Sequence, residues 1–105
     1  MAQPKRGDVW IVDLGLAAKV RPCLLLTDFP TDDELALVTV VPHTTAIRGN
    51  KWKHVCEKNF LQHGAFHLQQ VQSVSIAKLV RGLGALDDDE MTRIAEALRR
   101  RLALH

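Results

Sequence analysis

Residues 37–45 read LVTVVPHTT. The first five are apolar or β-branched, a run of strand length and too short for a buried helix. A proline then removes the backbone donor that a ladder would need, so a strand is expected over 35–41 and is expected to stop there. His43, Thr44 and Thr45 follow, on what reads as a turn at the lip of a sheet. Threonine hydroxyls after a strand commonly close turns. The same three groups would also suit a site, and the flanking sequence has to separate the two possibilities.

Upstream, residues 22–28 (PCLLLTD) form a largely apolar strand, and residues 8–14 (DVWIVDL) form another, rich in β-branched residues and tryptophan. A short loop over 15–20 joins them, and residues 29–34 (FPTDDE), a proline with three acids, read as a turn. Downstream, KWKHVCE (51–57) alternates as a half-exposed strand does. Residues 59–64 read as a loop. A fifth strand is expected over 65–74 (AFHLQQVQSV), with a bulge where alternation breaks at Gln69–Gln70. Residues 76–86 are mixed, with a bend marked by Gly82 and Gly84. The C-terminal segment is a helix. Asp87 and Glu90 have the spacing of a capping box, and Asp88 and Asp89 suit the positive end of the helix dipole. Met91, Ile94, Ala95, Leu98 and Leu102 recur at helical spacing, with Arg99 to Arg101 in the last turn. Five short strands and a terminal helix, with no βαβ alternation, predict a small antiparallel barrel or sandwich capped by a helix.

The totals agree with this. A chain of 105 residues predicts one domain, here taken as 1–105. Hydrophobic residues at 47% and charged residues at 25% are ordinary for a folded globular protein and argue against disorder. No apolar run approaches the ~18 residues of a membrane helix. The segment MAQPKRGDVW lacks the apolar stretch of a secretory signal, so a cytoplasmic location is expected. In that setting Cys23 and Cys56 read as reduced, partly buried thiols. The formal net charge of +2 does not announce a polyanion ligand. The distribution says more: Arg48, Lys51, Lys53 and Lys58 lie close together with His43 and His54, opposed there by Glu57 alone, while the acids gather at 32–34 and 87–90. A local basic segment of this kind can bind phosphate, although a solvated mixed-charge surface would have the same composition.

Arg21 precedes Pro22, which pushes it toward extended geometry and projects its planar fork of donors from a fixed point. A surface arginine at a strand edge accounts for it equally well on this motif alone. His43 titrates near neutrality and could serve as acid or base. His54, His63 and His67, perhaps with Cys56, invite a metal reading. Gly64 and the strand-like sequence after it deny His63 and His67 the helix their spacing would need, so no metal and no cofactor is expected. No glycine-rich phosphate loop, nucleophile elbow or pair of catalytic carboxylates occurs.

Taken in order, RGDVWIVDL (6–14), KVRPCLLLTD (19–28), VVPHTT (40–45), LQQVQSV (68–74) and LVRGLGALDDDEM (79–91) resemble the MazF/PemK family of toxin ribonucleases of type II toxin–antitoxin systems. The resemblance spans nearly the whole chain. It implies a mainly β fold, an SH3-like small barrel of the CcdB/PemK kind with a C-terminal α-helix, assembled as a homodimer. It implies metal-independent cleavage of single-stranded RNA at short motifs, by attack of the substrate's own 2′-hydroxyl. The products would carry a 2′,3′-cyclic phosphate and a 5′-hydroxyl. Its implied partners are RNA and a cognate antitoxin protein, with DNA reached only through the antitoxin and no membrane.

The family's catalytic arginine falls on Arg21 and its hydroxyl residue on Thr44, which would flank one phosphate once Pro42 has ended the strand. The resemblance carries a departure too. Where many members have an acid and a glutamine, this chain has Gln69–Gln70, and the short loop over 15–20 lacks the acidic and glutamine residues of longer versions. His67, expected on the same strand face as Gln69, is the candidate replacement as acid/base or phosphate contact. His43, Thr45, Arg48, Lys51, Lys53, Gln69 and Gln70 are the expected substrate contacts. Two other readings compete. The same fold hosts a poison of DNA gyrase that has no nuclease activity and binds a protein, and it would not need the Arg21–Thr44 pair; the other is an inactive member that only binds a partner, a reading that the missing acid at Gln69 keeps open.

Overall fold

A computed structural model describes residues 3–15, 19–46 and 49–104. Among them are seven strands and one α-helix: β1 Asp8–Asp13, β2 Val20–Leu25, β3 Leu37–Thr44, β4 Lys53–Val55, β5 Ala65–His67, β6 Gln72–Ser75, β7 Leu79–Ala85 and α1 Asp88–Arg101. The strands pair antiparallel in the order β4-β5-β3-β2-β1-β7, with β6 on β3. This path does not close on itself, so the barrel is partial. The mainly β, SH3-like fold with a C-terminal helix is as the resemblance implied.

β3 organises the sheet, and it corrects the expectation drawn from its sequence. The strand begins at Leu37, not at 35, and runs through Pro42 to Thr44. The outer edge of β3 explains the tolerance. Its ladder to β6 ends at Val40 and its ladder to β5 begins at His43, so the missing N–H of Pro42 falls at the handover. The expected fifth strand divides for the same reason. A 3-10 turn, Leu68–Gln70, carries the chain from β5 to β6. The break at Gln69–Gln70 is therefore this turn and not a bulge, and His67 and Gln69 do not share a strand face. The fourth strand shortens to Lys53–Val55. Residues 76–86, read as a bend, hold a full strand, β7, whose ladder to β1 slips twice. Those slips hide its alternation in the sequence.

The helix is as expected. The Asp87 carboxylate accepts from Glu90 N at 2.8 Å, and Glu90 Oε1 accepts from Asp87 N at 2.8 Å. Glu90 also pairs with Lys58 Nζ at 2.6 Å. Ile94 and Ala97 are buried against Val9, Leu24, Val41, Phe66 and Leu68, with Met91 and Leu98 at the margin. Each large apolar side chain removed from water there is worth about 1.5–3 kcal/mol. On the other side of the sheet Val12, Cys23, Leu25, Val38 and Val40 form a second cluster under Trp10, Leu79 and Ile76. The segment around Gly7 ties both ends of the fold together. Gly7, in the left-handed region at φ +93°, donates to Leu25 O and accepts from Leu86 N, each at 2.9 Å. Asp8 is buried and accepts from Lys5 N and the Trp10 indole.

Both cysteines are buried free thiols. Burial pushes Cys23 up to about 12 despite the pull of Arg21, and raises Cys56 as well, with Glu90 adding to it. Neither is a thiolate nucleophile at neutral pH. Among the described residues no helix is long and apolar enough to cross a membrane.

Candidate functional site

Directly opposed residues in antiparallel strands share a face, and successive residues alternate. β2 and β3 pair with Cys23 opposite Pro42, and extending this register by two residues sets Arg21 across from Thr44. Arg21 also pairs with Val12 of β1, and Thr44 with Ala65 of β5. Ala65 and His67 alternate onto the same face, and His67 pairs with Lys53 of β4. Arg21, Thr44, His67 and Lys53 therefore occupy one face, near the ends of four different strands.

The local chemistry of that face is specific. Arg21 is half-buried and held extended by Pro22. Thr44 Oγ1 accepts from Ala46 N at 3.1 Å, closing the turn and leaving the hydroxyl hydrogen able to donate elsewhere. Turn former and phosphate ligand are thus compatible roles for one side chain. Lys53 Nζ donates to Ala46 O at 2.7 Å, beside the same turn. His67 Nε2 is buried with no hydrogen-bond partner among the described residues.

The other expected contacts lie elsewhere. His43 points to the opposite face, packed edge-on against Phe66 at 5.1 Å between ring centres. It lines a cavity of about 260 Å³ with Thr45 and with Phe60, Gln62 and Arg81, three residues the sequence did not single out. Phe60 and Gln62 lie between β4 and β5, whereas Arg81 is set beside Pro22 by the β1–β7 pairing (Ile11 with Arg81) and the β1–β2 pairing (Ile11 with Pro22). Burial holds the His43 imidazole below its ordinary value, against the pull of Glu57, so it is neutral at pH 7. Lys51 lies over the Trp52 ring at 5.1 Å, with Arg101 of the helix at 5.8 Å from the same ring. Gln69 accepts from Asn50 Nδ2 at 3.0 Å, on the exposed side of the 3-10 turn with Gln70. Arg48 lies outside the described residues. Of the residues considered for a metal, His63 bonds Glu57 at 2.6 Å on the surface, and no group of metal ligands forms among the described residues.

An arginine fork, a threonine hydroxyl, an ammonium and an imidazole with an unpaired Nε2 share one face, a set of donors of the kind that suits phosphate and like anions. Comparison with known proteins narrows this class. Residues 5–102 match the family described as PemK-like, MazF-like toxin of type II toxin–antitoxin system, and the chain belongs to that family. It is 36% identical over 100 residues to the probable endoribonuclease MazF5 of Mycobacterium tuberculosis, covering 92% of this chain and 91% of that one. Among solved structures, the Mycobacterium tuberculosis toxin MazF-mt6 superposes with a TM-score of 0.79 at 28% identity, over 93% of this chain and 98% of that chain. A mycobacterial endoribonuclease in complex with its cognate antitoxin shares the fold, with a TM-score of 0.81 over 97% of each chain at 24% identity.

Proposed function

We propose that the whole chain acts as one toxin domain in the cytoplasm, a homodimeric endoribonuclease that cleaves single-stranded RNA and is neutralised by a cognate antitoxin. The observation that carries the reading is the register that sets Arg21 across from Thr44 on one face, in a member of the toxin family. The chemistry follows from those groups. The ribose 2′-oxygen attacks the adjacent phosphorus, and the P–O5′ bond breaks, giving a 2′,3′-cyclic phosphate and a 5′-hydroxyl. Negative charge grows on the non-bridging oxygens as the phosphorane forms. The Arg21 guanidinium faces that charge with two parallel donors, and the Thr44 hydroxyl donates to one of the same oxygens. One proton must leave the 2′-hydroxyl and one must reach O5′. His67, with an unpartnered Nε2 on the same face, is the group assigned to one of these transfers. Lys53 holds a neighbouring phosphate.

The test is incubation of the purified chain with a long single-stranded RNA in EDTA. Discrete fragments ending in 5′-hydroxyls are expected. Arg21→Ala should slow cleavage by about 10²–10³-fold or more, the usual effect of removing one transition-state donor. His67→Ala should alter the pH–rate profile. Intact RNA with the unaltered chain would overturn the nuclease reading and move attention to partner capture.

A further inference from the structure

We propose that the groove between β4 and helix α1 is a second anion site, separate from the Arg21–Thr44 face, which holds backbone phosphates of the RNA strand well away from the cut. Arg93 and Arg100 are its phosphate ligands, and it makes long RNA a better substrate than short RNA. The inference rests on the ribonuclease reading and adds to it a surface and a dependence on substrate length.

The make-up of the groove points to a polyanion. It is a cavity of about 410 Å³ lined by His54 of β4 and by Thr92, Arg93, Glu96, Ala97 and Arg100 of α1. Arg93, Ala97 and Arg100 recur at steps of four and three, so they share one helix face. Both arginines are exposed, and each has an acid at the spacing of a helix ion pair. Asp89 stands four residues before Arg93, and Glu96 four before Arg100. Even so, neither arginine side chain is in an ion pair among the described residues. Their donors are left for a ligand. Ala97 is the one apolar residue of the lining, so a peptide finds no pocket to anchor in, whereas a phosphate backbone needs only cations.

The charge around the groove is also one-sided. Toward the C-terminal end of α1, Lys51 and Arg101 stand over the Trp52 ring at 5.1 and 5.8 Å and add two cations. Of the lining residues only Glu96 opposes them, and the nearby Glu90 is taken up by Lys58 at 2.6 Å. His54 registers this field: burial lowers its imidazole, Arg93 lowers it further, and Glu90 opposes both. The seven-residue step from Arg93 to Arg100 covers about 10 Å of helix axis, room for more than one phosphate.

The groove is continuous with the Arg21–Thr44 face around one edge of the sheet. Lys53 and His54 are consecutive in β4 and emerge on opposite faces. Lys53 shares the face of Arg21 and Thr44, and His54 meets α1. β4 ends the sheet, with no strand beyond it among the described residues. An RNA strand held at Lys53 can therefore pass round this free edge and reach Arg93 and Arg100.

The experiment compares two single-stranded RNAs with one shared cleavage site, cut in EDTA. One is trimmed to the nucleotides around the cut, and the other is extended on both sides. The unaltered chain should show the lower KM for the extended RNA. The double variant Arg93→Gln, Arg100→Gln should raise that KM about tenfold. Its KM for the trimmed RNA and both kcat values should stay within about twofold, the mark of lost uniform binding. A structural defect would instead slow both RNAs alike. Binding of the extended RNA with a 2′-deoxyribose at the cut should lose about 0.7 of log–log salt slope for each phosphate contact removed. The same strand should raise the titration point of the His54 imidazole followed by NMR, and the trimmed one should not. Equal KM values for the two RNAs in the unaltered chain would overturn the site. A double variant that keeps its KM for the extended RNA but escapes the antitoxin would overturn it too, and would give the groove to a protein segment. If the unaltered chain cuts neither RNA, the ribonuclease reading falls, and binding of the 2′-deoxy strand to the two chains decides the groove separately.

Discussion

Thr44 shows how one side chain can serve the fold and a site together. Its oxygen accepts the Ala46 N–H that closes the turn, and its hydrogen remains to give away. The residue that keeps this arrangement in place is Gly64, which no motif marks. A Cβ there would collide with the Thr44 carbonyl oxygen and press on the His43 ring. Gly64→Ala should therefore displace Thr44 and His43 together. The expected cost is about 1–3 kcal/mol of stability, as for overpacking at other tight sites. Urea denaturation measures that loss, and RNA cleavage by the remaining folded fraction should be slowed as well. A variant as stable and as active as the unaltered chain would show that the backbone shifts freely at this point. The sequence showed Gly64 only as a helix breaker, because the need for a small residue there comes from strand β3, twenty positions upstream.

At the scale of elements, helix α1 is held by two devices of different strength. Its capping box satisfies two orphan donors at the N-terminus, and its buried face sets Ile94 into the core. Asp87→Ala should cost about 1 kcal/mol, whereas Ile94→Ala should cost about 2–5 kcal/mol because a cavity adds to the lost burial. Both are read from denaturant midpoints at constant m-value. Equal losses would mean that the helix is held by its end and not by its face. Cap and face were both legible in the sequence, since each depends on spacing within one segment. The divided strand β5–β6 and the whole of β7 were not. Their boundaries are set by partners: β3 hands its outer edge from one to the other, and β1 accepts a twice-slipped ladder.

For the whole molecule, one buried histidine, His43, and one half-buried, His54, make acid the condition to watch. Burial lowers His43, with Glu57 pulling it upward and His63 downward; burial and Arg93 lower His54, with Glu90 opposing. In the unfolded chain both return to about 6.5, so the unfolded state binds more protons wherever the pH is near or below that value. Stability should be full above about pH 7 and should fall as the pH drops through about 6.5 and on toward the lower folded values. Thermal unfolding scans between pH 8 and 5 check this. A melting temperature that rises on acidification across that window would contradict it. Replacing both histidines with glutamine should flatten the curve.

The sequence by itself determined whatever depends on neighbours along the chain. The capped terminal helix, the apolar strands β1, β2 and the core of β3, and the fixed projection of Arg21 before Pro22 all follow from local periodicity and backbone stereochemistry. The ordered motifs around them were enough to carry a family resemblance. Only the tertiary structure decided that β3 continues through Pro42, that His67 shares a face with Thr44 and not with Gln69, and that His43 turns to the other side to meet Phe60, Gln62 and Arg81. The physical reason is the same in each case. Strand pairing is a non-local choice, and it fixes register, and with register the face on which every side chain emerges.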